Sequence, residues 1–334
     1  MPHIARLTVL LSLFLLMGGL PAQSASFDCL KASTAREKAI CADPALSSLD
    51  EKIASAYAAA MPGLSVSAAE RLRNGQRSWL RFLDRACPGA SGECLTPYLK
   101  ERVTFLEKAS IRKAGRVFAT SDKWEFISPE TPARDAPDAI YGENAMRYVQ
   151  SMDFRIDEAE SSGEKGFNAA VAEWQEHMWN GFDGQTNMKA DIIINAATDR
   201  LVSLDIFLWQ FPLGAAHGSG AAVHVNYLLD EARPLLPEDI FVKDGWREYL
   251  TGKALEELTL LFGEMGLFDG PENTIDGMVS TPERWVITPE GLGINFPVYS
   301  VGPYAGGDNT VTATWKELAP WLAKDAPIPT EEAH

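Results

Sequence analysis

All four cysteines of this 334-residue chain fall between Cys29 and Cys94, so whatever folds there must bring their sulfurs within bonding reach. The same stretch is dense in helix punctuation. Thr34-Ala35-Arg36-Glu37, Ser48-Leu49-Asp50-Glu51 and Ser67-Ala68-Ala69-Glu70 each place a hydroxyl three residues ahead of a carboxylate, the pattern in which both side chains satisfy unpaired backbone N–H groups at a helix start. Thr96-Pro97 announces a fourth start, because proline at the first helical position gives up no hydrogen bond. Apolar residues follow at helical spacing: Leu49, Ile53, Tyr57 and Ala60, then Leu72, Trp79, Leu80 and Leu83, then Leu99, Val103 and Leu106. The pattern predicts a small all-α bundle over 25–115.

Cys29 precedes the first predicted helix, Cys41 ends it just before Pro44, Cys87 ends the third and Cys94 precedes the fourth. Four cysteines allow three pairings, and sequence leaves them open. Short chain separation favours Cys29–Cys41 with Cys87–Cys94. Each closure is worth about 2–4 kcal/mol, a large contribution where the core is small. No CxxC spacing or neighbouring histidine supports a metal site instead.

The run SFDCLKASTAREKAICADPALSSLDEKIASAY, then QRSWLRFLDRAC, then Cys94-Leu95 followed by Tyr98 and Arg102, resembles the N-terminal domain of LprI-type lysozyme inhibitors over about residues 27–108. The resemblance rests on the cysteine spacing, the Leu49-Asp50 pair and the Gln76-Arg77-x-Trp79-Leu80 helix. Members usually carry arginine where this chain has Leu83. The resemblance implies an exported protein whose partner is lysozyme.

With 46% hydrophobic and 23% charged residues the composition is that of a folded protein. Residues 1–24 read as a signal peptide, with Arg6 as the positive flank, Leu7 to Met17 as the apolar run and Ala22-Gln23-Ser24 as the cleavage signal. That run is too short to span a bilayer and no later one is long enough. The expectation is a periplasmic or secreted protein with no transmembrane anchor in its mature chain, in a compartment where disulfides persist.

Charge divides the chain. Residues 25–115 hold 14 Lys+Arg against 10 Asp+Glu, net +4, whereas residues 116–334 hold 15 against 36, net −21. Such acidity repels a nucleic-acid backbone and suits a cationic protein partner. Against this trend, Arg73, Arg77, Arg81 and Arg85 recur every four residues on the third predicted helix, a stack of like charges that is unfavourable unless neutralised. The stripe is a candidate for contact with the acidic half or with another anionic surface.

Beyond Gly115 the pattern changes to α+β with an antiparallel sheet. Val117, Phe118, Trp124, Phe126 and Ile127 suggest extended structure, Ser128 to Pro137 a proline-containing connection, and Met152 to Asp157 a strand. Phe167, Ala170, Val171 and Trp174 mark a helix. Met188–Ala196, Leu201–Phe211 and Ala221–Leu229 read as a meander of three strands. In the last, Val223, Val225, Tyr227 and Leu229 share a buried face, and His224 and Asn226 share one expected to be partly wet. A helix over 245–262 should cover the sheet. Strand-like WVIT, GLGINF and NTVTAT precede a short helix opened by Thr314-x-x-Glu317. From about 190 to 322, GAAHGSGAAVHVNYLLDEARPLLPEDIF and TPEGLGINFPVYSVGPYAGGDNTVTATWKEL resemble the RsiV-like extracytoplasmic domain found in a lysozyme-sensing anti-sigma factor and beside some peptidoglycan deacetylase domains; no anti-sigma segment is recognisable, so the resemblance does not imply the sensing role. The division is therefore 25–115 helical and 116–334 acidic α+β.

Catalytic patterns are lacking. Ser219 in His217-Gly218-Ser219-Gly220 does not have nucleophile-elbow spacing, His217 and His224 have no placed third metal ligand, and GPYAGGDN is not followed by the Lys-Ser/Thr of a phosphate loop. The expectation is a binding protein without cofactor or metal, whose partner is lysozyme or another cationic envelope-active protein. The alternative is a peptidoglycan-binding module or an envelope enzyme acting on cell-wall material. Two loops are candidates for holding a partner: Pro212–Gly220 with His217, and Gly302–Asn309 with Tyr304 as an aromatic anchor and Asp308 as a charge.

Overall fold

The computed structural model describes residues 25–126, 148–180, 186–212 and 215–329. The predicted signal peptide over 1–24 and the connection over 128–137 lie outside those residues. Four helices open the described chain: α1 Ala35–Ala42, α2 Pro44–Ala60, α3 Val66–Ala86 and α4 Gly92–Glu107. Thr34 caps α1 as its sequence predicts, accepting from the Glu37 N–H while the Glu37 carboxylate accepts from the Thr34 N–H. The other three begin upstream of their predicted starts. Asp43 caps α2 by accepting from the N–H groups of Ala45 and Leu46, with Pro44 at the first helical position, and this stronger signal lies ahead of Ser48. Ser65 caps α3 and Ser91 caps α4, which leaves Pro97 inside a helix and puts Cys94 in its first turn.

Disulfides join Cys29 to Cys41 and Cys87 to Cys94. The first ties the turn at Cys29–Lys31 to the end of α1, and the second ties the end of α3 to the start of α4. Leu46, Leu72, Phe82, Leu83, Leu95 and Leu99 fill the space between the helices. Leu83 is fully buried there.

A seven-stranded sheet follows, its strands adjacent in chain order: β1 Ser110–Lys113, β2 Arg116–Phe126, β3 Tyr148–Ile156, β4 Thr186–Ala197, β5 Leu201–Pro212, β6 Ser219–Leu228 and β7 Arg233–Pro234. Every neighbouring pair is antiparallel except β3–β4, which is parallel and is connected through α5 Ser162–Asn180, as a parallel pair requires a crossover. Gly115 sits in the β1–β2 turn at φ 69°, a left-handed conformation open to glycine at little cost. Phe167 and Val171 of α5 pack against Phe118, Phe154, Val202, Leu204 and Tyr227.

The remainder forms a third core. After α6 Pro237–Ile240 come α7 Trp246–Phe262 and α8 Pro271–Val279, then β8 Trp285–Ile287, β9 Gly291–Phe296, β10 Asn309–Thr314 and α9 Trp315–Leu318. The strands make a separate antiparallel sheet in the order β10-β9-β8, and it is this sheet that α7 covers, with Leu250, Leu258 and Phe262 packed among Trp285, Leu292 and Phe296. Asn226 is buried rather than wet, because its side-chain N–H groups donate to the carbonyls of Pro282 and Trp285 at 3.0 and 2.8 Å. His224 on the same face is buried too, its Nδ1 2.6 Å from Asp205.

Helices and sheet meet at β2. Gly75 of α3 touches the strand so closely that a Cβ there would lie 2.5 Å from the Asp122 carbonyl oxygen, and Ser78 Oγ accepts from the Trp124 N–H at 3.1 Å. From α4, Arg102 reaches Asp122 at 2.7 Å with side-chain exposures of 1% and 0%. The same carboxylate oxygen accepts from Trp124 Nε1 and Gln150 Nε2, while Arg102 Nε donates to Gln76 at 2.7 Å. Burial lowers the Arg102 pKa and the neighbouring Asp122 opposes that shift.

Removing one partner of such a pair strands the other charge, so Arg102→Ala or Asp122→Ala should each lower the unfolding free energy by about 3–5 kcal/mol, measured by urea denaturation. A second expectation concerns pH. Against the opposing effect of burial, N–H donors from Glu160 and Ser161 and the Arg116 guanidinium hold Glu164 at about 2, below its ordinary 4.5. The unfolded chain therefore takes up this proton first on acidification, so the stability Glu164 supplies is complete above about pH 4.5 and lost as pH falls toward about 2. Calorimetry from pH 7 to 2.5 should show a smaller fall in melting temperature for Glu164→Gln than for the unaltered chain.

Candidate functional site

The two loops singled out in the sequence meet in space. The His217 ring stacks on the Tyr304 ring with centroids 4.8 Å apart and planes inclined by 26°, and the Tyr304 hydroxyl donates to the Gly218 carbonyl at 3.4 Å. Tyr299 joins them, 5.4 Å from Tyr304, with 62% of its surface exposed. Its φ of 64° lies in a region that bulky residues rarely adopt. Backbone strain of this kind persists only where the surroundings fix it, and it is commonest at binding sites.

The chain is held in this shape from below. Gly302 and Gly306 lie flat on the Phe262 ring, where added Cβ atoms would sit 2.3 and 2.1 Å from it. Asn309 donates to the carbonyls of Gly306 and Gly307, and Asp308, itself exposed, accepts from Asn295. Gly218 and Gly220, at the entry to β6, are pressed on β5 in the same way: a Cβ at Gly218 would lie 2.8 Å from Trp209, and one at Gly220 2.5 Å from Phe207. The glycines thus permit close seating on aromatic rings, and the loops form a shaped surface.

Around them lies exposed apolar area. The Phe268 N–H donates to the Val301 carbonyl at 2.9 Å, which brings that residue, nearly half exposed, beside the loop, and Leu261 in the last turn of α7 and Met265 just beyond it are also exposed. Clustered apolar surface on a folded protein marks contact with a partner. Tyr299, Phe268 and Met265 escaped the sequence reading because each belongs to a different local pattern.

The arginine stripe is elsewhere. Arg73, Arg77, Arg81 and Arg85 all face solvent along α3; Arg85 lies over the Phe126 ring at 5.0 Å, Arg77 donates to Asn74 at 3.5 Å, and among the described residues none of the four forms an ion pair. Helices and sheet are joined instead through Arg102, through Arg71 with Asp153, through Lys108 with Asp191 and through Lys189 with Glu101. Ser65 adds hydrogen bonds from its N–H and hydroxyl to Asp157 at 2.6 and 2.7 Å. Of the LprI-like motif residues, Gln76, Trp79 and Arg102 converge: Arg102 bonds to Gln76 and sits 5.2 Å from the Trp79 ring.

Because the junction is anchored by the buried Arg102–Asp122 pair and by the close packing of Gly75 and Ser78 on β2, small-angle scattering should give the same radius of gyration at low and high salt. The Arg77→Glu, Arg81→Glu double variant should leave it unchanged, whereas an increase in either experiment would assign the docking to exposed charge.

Residues 29–106 match a family model described as lysozyme inhibitor LprI, and residues 238–316 match one described as a protein of unknown function, DUF3298. The chain therefore carries an LprI lysozyme inhibitor domain followed by a DUF3298 domain. Among solved structures it is similar to a DUF3298 family member from Bacteroides fragilis, at 15% identity over 64% of this chain and 96% of that one, with a TM-score of 0.43. A DUF3298 family protein from Pseudomonas aeruginosa is similar at 12% identity over 64% of this chain and 97% of that one, with a TM-score of 0.39. No curated protein matches the chain.

Proposed function

We propose that this chain is an exported protein that binds lysozyme and inhibits it, acting by surface contact rather than by catalysis. The observation that carries the reading is the LprI lysozyme inhibitor domain at 29–106. Its two disulfides, and the fact that no helix among the described residues is long and apolar enough to cross a membrane, fit an extracytoplasmic protein. The region from about 190 to 322 also resembles the RsiV-like domain of a lysozyme-sensing anti-sigma factor, and that resemblance favours the same partner. Lysozyme is cationic, and the net charge of −21 over residues 116–334 would steer it toward this half of the molecule.

The contact is assigned to the loop surface of Tyr299 and Tyr304, with His217 stacked on Tyr304 and Asp308 exposed nearby. Tyrosine buries a large area with few rotatable bonds, and a carboxylate beside it suits a basic groove. The mature chain, beginning near Ala25, should slow lysis of cell-wall substrate by lysozyme at low salt and micromolar excess, and less so as salt rises. A chain that neither binds lysozyme nor slows it under those conditions sinks the proposal. Tyr299→Ala and Tyr304→Ala should each weaken binding by about 1–2 kcal/mol with little change in melting temperature. Unchanged affinity in both would move the interface to the helical domain.

A further inference from the structure

Between α4 and the face of the large sheet lies a cleft of about 400 Å³, walled by Trp79, Phe105, Trp124, Phe207 and Trp209. Strand register sets Phe207 beside Asp191 and Trp209 beside Lys189 on one sheet face. Phe207 keeps 38% of its surface exposed, a large ring left in water on a strand whose neighbours are packed. Below, the Arg102 guanidinium lies 4.4 Å from the Phe105 ring centroid, and its Nη2 is buried without a hydrogen-bond partner among the described residues. Such a donor is costly to bury unless something accepts from it. At the rim Lys189 pairs with Glu101 at 2.8 Å and Lys108 with Asp191 at 3.7 Å.

This lining selects a ligand class. Its three cations, Arg102, Lys108 and Lys189, each have a carboxylate partner in Asp122, Asp191 and Glu101, so no surplus charge is left to recruit a phosphate or a free carboxylate. An aliphatic chain would suit the rings but leave the charged rim of Lys189, Glu101, Lys108 and Asp191 without a polar partner. A sugar meets both demands: the C–H face of a pyranose lies on an aromatic ring, while its hydroxyl groups donate to Glu101 or Asp191 and accept from Lys189 or Lys108. The volume falls in the lower part of the range of small-molecule sites, about 300–1,000 Å³, which fits about one or two rings. We propose that this cleft binds a neutral saccharide. The proposal does not rest on the lysozyme reading, whose surface is built from Tyr299 and Tyr304.

The test titrates the full chain, in the absence of lysozyme, with diacetylchitobiose, cellobiose and maltose as neutral probes and inorganic phosphate as the anionic one, following tryptophan emission and heat. At least one neutral disaccharide should give a saturable change, and phosphate none. Phe207→Ala and Trp209→Ala should each weaken that binding by about fivefold or more, the equivalent of about 1 kcal/mol for a lost aromatic contact. Circular dichroism should be unchanged. Absence of a saturable response to all three sugars, affinity unaltered in both variants, or equal binding of phosphate would each overturn the proposal.

Discussion

The carboxylate of Asp122 holds the two parts of this molecule in one arrangement. It lies on β2 with no exposure, takes a hydrogen bond from Arg102 across the junction, and collects two further donors from Trp124 and Gln150. Burying two charges is unfavourable by several kcal/mol per ion unless geometry and additional hydrogen bonds compensate. Here Gln76 accepts from the guanidinium, and the Trp79 and Phe105 rings flank it. Separating the helices from the sheet would strand both ions, so the arrangement is tightly specified. The close approach of Gly75 to the same residue brings the strand near enough for Arg102 to span the gap.

Net charge and local pairing play different parts. The halves carry +4 and −21, yet the junction uses a few individually placed partners: Arg71 with Asp153, Ser65 with Asp157, Lys189 with Glu101. The surplus is left on the outside, where it acts at long range on whatever approaches. The exposed arginines of α3 and the acidic remainder thus give the molecule two electrostatically distinct surfaces.

Much of the fold was legible because its signals are local. The Thr34 capping box, the spacing of β4 to β6 and the Thr314–Glu317 box all appear where the sequence predicts them. The start of α2 did not, since Ser48 and Asp43 both offer caps and only Asp43 adds a proline at the first position. Asn226 was expected to be partly wet because alternation reveals two faces but not what lies over the second, here the turn at Pro282 and Trp285. The candidate site divides in the same way. His217 and Tyr304 stand out individually in glycine-rich loops, while their stacking, and the arrival of Tyr299 and Phe268 beside them, depend on contacts between distant segments. Gln76, Trp79 and Arg102 were legible only as motif letters, and the structure gives them a common task around Asp122.

The order of the disulfides has a consequence for how the chain matures. Cys29 bonds to Cys41 and Cys87 to Cys94, so each cysteine pairs with its nearest neighbour along the chain and neither bond reaches the sheet. A polypeptide delivered amino end first meets each partner as soon as it emerges, and oxidation in order of appearance yields the native pairing without reshuffling. The helical part can thus be covalently closed while the acidic remainder is still arriving, and Arg102 is already carried on a cross-linked scaffold when β2 brings Asp122 to it.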